Sequence, residues 1–241
     1  MYAHPAADRP TVPADAAAWL AGSSPRTVLT VGGAGLAGPF AALGHDVRAV
    51  SGWLTELPFQ DASIDVVVAV QVPDDLTEVA RVLRPRGELA VIWHERDQRI
   101  PWVRRLDKLL GTKPLGEHPP DALVTTHRFG FVDTSSYRFW QVVTRQSLEA
   151  LVRGMPEVSG LADTPREQKV LDVLSLYDEY GRGADGMQLP WICRCFKSTV
   201  IDRPAPKPAP VLEPTQPIAI DPAKPVKSDG GDTDMLLIDF R

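Results

Sequence analysis

Short apolar runs alternate with helical patterns along the first half of this chain. Pro13 to Ala21 predicts a short helix that offers Trp19 and Leu20 for packing, after a loose segment over residues 1–12. Val28, Leu29, Thr30 and Val31 form a run rich in β-branched residues and too brief for a helix, so a strand is predicted. A glycine cluster follows (Gly32, Gly33, Gly35, Gly38), then an Ala/Leu-rich helix stopped by Gly44, then a strand over Val47 to Val50. Ile64 to Val70 is almost continuously apolar, the mark of a strand covered on both faces in the middle of a parallel sheet. Asp75 and Glu78 have capping-box spacing and predict a helix with Leu76, Val79, Ala80 and Leu83 inward, ending before Pro85. Arg86-Gly87 then turns into a strand over Glu88 to Trp93. Pro101 and Gly111 bracket a further helix, which Asp97 and Arg99 are expected to cap. This alternation predicts an α/β domain with an open, mostly parallel sheet.

The pattern changes after Gly111. Residues 112–128 read as a loop, Phe129 to Val143 as extended chain carrying Phe131, Tyr137, Phe139 and Trp140, and Thr144 to Val152 as a helix. Thr164-Pro165-Arg166-Glu167 has the form of a capping box, opening a helix with Val170, Leu171, Leu174 and Tyr177 on one face. Leu189 to Lys197 predicts a last strand, expected to be antiparallel. Eight prolines between Pro204 and Pro225 make residues 201–228 a semi-rigid linker that cannot build a core. Residues 229–241 end in an acidic and apolar motif, Met235 to Phe240, which either adds to an edge of its own domain or binds a protein partner as a short linear motif.

Composition narrows the classes. A net charge of −5 gives no support for a nucleic-acid partner. No apolar run reaches the length of a membrane span, and the N-terminus lacks the basic and apolar regions of a signal peptide, so a cytoplasmic protein is expected. The two cysteines, Cys193 and Cys195, would share one strand face; they fall short of a metal site and read as buried thiols.

For chemistry, the strand, glycine turn, helix and strand over residues 27–50 form a nucleotide-binding unit. Gly33, Gly35 and Gly38 match the dinucleotide fingerprint and resemble the turn of short-chain dehydrogenases and epimerases. No Tyr has Lys four residues on, so that chemistry lacks its pair. His94 and Glu95 fall at a strand C-terminus, where an acid or base would act, and His94 is the candidate catalytic residue. The alternative for His94 is a polar residue that merely ends a strand.

Three segments resemble class I S-adenosylmethionine-dependent methyltransferases. Leu57 to Ala69 (LPFQDASIDVVVA) is similar to their "LPFPDGSFDVVVA", and Ala80 to Leu89 (ARVLRPRGEL) to their "ARVLRPGGRL". Trp93-His94-Glu95-Arg96-Asp97 with Pro101-Trp102-Val103 is similar to the "WNxRDxxxPW" of a small-molecule, trans-aconitate-type subgroup. The resemblance spans roughly residues 13–198, within a domain expected over residues 13–200. It implies a Rossmann-like fold with an antiparallel last strand, S-adenosylmethionine as cofactor, and a methyl group passed to a small molecule. By the same resemblance the cofactor contacts are Gly32, Gly33, Gly35, Trp53, Leu54 and Gln71.

The cofactor motifs nonetheless depart from the family's. Its first strand carries an acid where Thr30 stands here. Its second ends in an acid that accepts the ribose hydroxyls, whereas Val50 runs into Ser51-Gly52. One helix–strand unit of the family's seven-stranded sheet is missing. The expectation is a methyltransferase-like protein, either active on a small acceptor or a non-catalytic scaffold acting through its C-terminal tail.

Overall fold

The structure, a computed structural model, describes residues 10–32, 34–180, 186–202 and 204. The described residues fall within one compact unit, Met1–Lys207. Residues 208–241, including Met235 to Phe240 and most of the proline-rich segment, lie outside the described residues, as do residues 1–9.

Six strands form one sheet: β1 (Thr27–Val31), β2 (Asp46–Val50), β3 (Ile64–Ala69), β4 (Leu83–Arg96), β5 (Phe129–Val143) and β6 (Met187–Val200), in the order β2-β1-β3-β4-β6-β5. The β1/β2, β1/β3 and β3/β4 pairs are parallel, and β6 runs antiparallel to both β4 and β5. Among the described residues the sheet therefore has one strand fewer than the seven the resemblance implies.

The apolar run of β3 has the predicted cause. Its side chains alternate between two cores, Val67 and Ala69 entering one, Val66 and Val68 the other. The first core is closed by α3 (Thr77–Val82) and by Leu123 of α5 (Asp121–Thr125); the second by α1 (Ala14–Ala21) and Phe40 of α2 (Ala37–Ala42). A third core joins α4 (Pro101–Leu110), α6 (Arg145–Gly154), α7 (Pro156–Ser159) and α8 (Asp163–Tyr180) to the ends of β5 and β6. Gly111 closes α4 in the left-handed conformation, as its position predicts. Cys193 and Cys195 are buried on one face with sulfurs 3.6 Å apart and unbridged. Contact with Cys195 and burial push the Cys193 thiol up.

Several local expectations are overturned, mostly by charged partners from elsewhere in the chain. Glu78 does not close a capping box: its carboxylate accepts the Leu57 N–H at 3.1 Å and pairs with Arg81, while Asp75 takes the N–H and hydroxyl of Thr77. Leu83 opens β4 instead of ending α3. Glu167 is drawn into a two-pronged pair with Arg153, at 2.6 and 2.8 Å, and α8 starts at Asp163, two residues before the Pro165 that the capping box would make first. Leu171 points outward at 57% exposure and Val173 takes its place in the core. Asp97 grips Arg99, leaving Ile100 as the N-cap of α4 with no side-chain cap. Residues 112–128 contain α5, and α7 was not expected.

Candidate functional site

Open α/β sheets bind ligands beyond the carboxyl ends of their parallel strands. Here the three loops leaving β1, β2 and β3 are tied together at that edge. Gly32 turns the chain out of β1 at φ +120°, and its N–H donates to the Val50 carbonyl at 3.1 Å. A Cβ on Gly32 would stand 2.8 Å from a methyl of Val70, so the glycine is required by the packing of β3's exit. The Trp53 indole N–H donates to the Gln71 carbonyl at 2.8 Å, and its ring packs on the first core. Among the predicted contacts, Gly32, Trp53 and Gln71 thus meet at this edge, and Gly35 is exposed with open space where a side chain would be. Leu54 is 52% exposed. Gly33 lies outside the described residues.

The loop after β2 is held from below by Arg81. Its guanidinium, almost fully buried, reaches Glu78, Asp61 and the carbonyls of Phe59 and Leu57. Bonds to Glu78 and Asp61 hold its pKa above the ordinary arginine value despite burial. This one residue links the LPF and ARVLRP segments. Its role is hidden in the sequence, because an arginine amid apolar residues gives no sign of which carbonyls it will reach.

The residues offered to S-adenosylmethionine do not fit its ribose as the resemblance requires. Thr30 is fully buried, and its hydroxyl donates to the Arg48 carbonyl on β2 at 3.3 Å. Ser51, at the end of β2, is exposed. Neither position offers a carboxylate to a diol.

Further along the edge, β4 continues past Trp93 to Arg96, so His94 lies within a paired strand, opposite Cys193. Its ring meets Phe139 edge-on at 5.6 Å, its Nε2 is buried without a partner, and burial lowers its pKa to about 4. It is neutral at pH 7 and a weak base there. Glu95 accepts Arg194 Nε at 2.7 Å, and Arg194 reaches Glu117 at 2.5 Å. Arg96 pairs with Asp107 of α4 and lies over the Trp191 ring. Among the described residues no group of three His, Cys, Asp or Glu side chains is placed to hold a metal ion, and no helix is long and apolar enough to cross a membrane.

No family model matches the chain. Among curated proteins, it is 28% identical over 223 residues to an uncharacterized methyltransferase of Mycobacterium tuberculosis, covering 80% of this chain and 90% of that one. It is 32% identical over 122 residues to an uncharacterized methyltransferase of Schizosaccharomyces pombe, covering 47% of this chain and 48% of that one. Among solved structures it resembles a protein of Anaeromyxobacter dehalogenans provisionally described as a type II methyltransferase. That match has a TM-score of 0.52 at 16% identity and covers 82% of this chain and 99% of the other. The chain has the Rossmann-like methyltransferase fold, and its curated relatives are named methyltransferases.

Proposed function

We propose that this chain is a methyltransferase-like protein that keeps the class I fold without its cofactor chemistry, and that it works as a cytoplasmic binding or scaffold module. One observation carries this reading: Thr30 and Ser51 stand where the family places carboxylates, and the Thr30 hydroxyl is already bonded to Arg48. Hydrogen bonds to a charged acceptor contribute roughly 1.5–3 kcal/mol each. Losing the pair made to a ribose diol lowers affinity by about 10²- to 10⁴-fold. The segment Met235 to Phe240, on its proline-rich linker, is the attachment point for a protein partner.

Thermal unfolding with S-adenosylhomocysteine tests this. A cofactor present at about a hundred times its Kd stabilises by about 2.7 kcal/mol, which for a domain of this size raises Tm by roughly 5–10 °C. The reading predicts no rise at millimolar concentration; a rise of that size overturns it.

A second reading is favoured by the open space over Gly35 and Gly38. In it the edge accepts S-adenosylmethionine and the chain methylates a small oxygen-bearing acceptor of the trans-aconitate type, chemistry that needs mainly positioning. The names of the curated relatives support it.

A further inference from the structure

A groove of about 550 Å³ opens to solvent between α4 and α8. Small-molecule sites occupy roughly 300–1,000 Å³, so it has room for one. Arg105, Lys108 and Leu109 form one wall, on a single face of α4; Pro165, Lys169 and Asp172, likewise on one face of α8, form the other. Three cations and one carboxylate therefore line it, in a chain whose net charge is −5. The carboxylate is occupied, since Asp172 accepts the Gln168 side-chain amide at 2.9 Å. The cations are not equally engaged. Arg105 pairs with Glu179 at 2.8 Å. Lys169 donates one N–H to the Leu109 carbonyl at 2.9 Å, which fixes its ammonium at the last turn of α4 with two N–H groups left over. Lys108, in that same turn, has no hydrogen-bond or ion-pair partner among the described residues.

We propose that this groove binds a small organic phosphate monoester. Lys108 and Lys169 bring two ammonium groups to one turn of α4, which suits a compact dianion better than two carboxylates held apart. A phosphate monoester carries a charge of about −1.5 to −2 at pH 7 and three strong acceptor oxygens, enough for both ammonium groups. Leu109, Pro165 and the methylene stems of the lysines offer apolar surface to the body of the ester. That surface favours an ester over inorganic phosphate. The site stands whether or not the chain binds S-adenosylmethionine.

The test titrates phenyl phosphate into the full chain labelled with ¹⁵N. It is expected to shift the backbone amides of Leu109 and Lys169 saturably. Inorganic phosphate, which lacks the apolar body, is expected to bind about tenfold more weakly. Benzyl alcohol, which lacks the charge, is expected to leave both amides in place. Lys108→Gln, an exposed substitution, is expected to weaken phenyl phosphate binding about fivefold. Arg48→Gln, exposed on β2, is expected to leave it unchanged. Equal affinity for phosphate and phenyl phosphate, a shift that never saturates, or a loss in Lys108→Gln no greater than in Arg48→Gln would each overturn the proposal.

Discussion

Arg81 shows how much one buried cation can hold. Its side chain is 7% exposed and bridges α3 to the loop that follows β2. Truncating one partner of such a buried network costs about 3–5 kcal/mol, so Arg81→Ala is expected to lower unfolding free energy by that much in urea. Arg84 pairs with Asp65 but is 47% exposed, and Arg84→Ala is expected to cost under about 1 kcal/mol. Equal losses would contradict this division. His94 makes a second prediction. Its pKa in the fold, about 4, lies below the ordinary 6.5, so the unfolded chain takes up the proton first. Stability is full above pH 6.5 and falls by about 3 kcal/mol as pH drops to 4. His94→Phe should flatten that slope in denaturation measured across the window. The carboxylates add their loss lower down. Arg99 holds Asp97 below its ordinary value. Burial pushes Asp65 up, but the Thr27 N–H and Arg84 outweigh it. These two therefore weaken the fold only below about pH 4.

The turn out of β1 separates glycines kept by packing from those that leave space. Gly32→Ala forces a side chain into a left-handed position against Val70, and is expected to cost roughly 1–3 kcal/mol. Gly38 lies in α2 with nothing within 4 Å of a Cβ, and Gly38→Ala is expected to stabilise by about 0.5–1 kcal/mol. Thermal unfolding of the two variants checks both signs. Elements of this kind were legible from the sequence because their causes are local. The β-branched run of β3, the proline and glycine around α4, and the extended, aromatic-bearing strand β5 all fall where the pattern places them. The capping boxes were not legible. Glu78 and Glu167 have the right spacing, but Arg81 and Arg153 offer each a charged partner, which a backbone N–H does not match.

At the scale of the molecule, the mostly parallel sheet follows from the alternation of elements, the antiparallel β6 was expected, and the strand order, which the sequence did not yield, comes from the structure; all agree with the methyltransferase fold. The site was legible only in part. Glycine spacing identifies the edge, yet sequence alone does not reveal that Gly32 answers to Val70 or that Trp53 is bonded to Gln71. Each depends on what distant segments bring alongside. The absence of acids at Thr30 and Ser51 was visible from the start, and the proposed function rests on it. Isothermal titration of the full chain with S-adenosylmethionine, with Gly35→Val beside it, tests that account most directly. It predicts no binding heat up to millimolar cofactor in either protein. A micromolar Kd in the wild type that Gly35→Val abolishes would contradict it and make the chain a cofactor-binding methyltransferase.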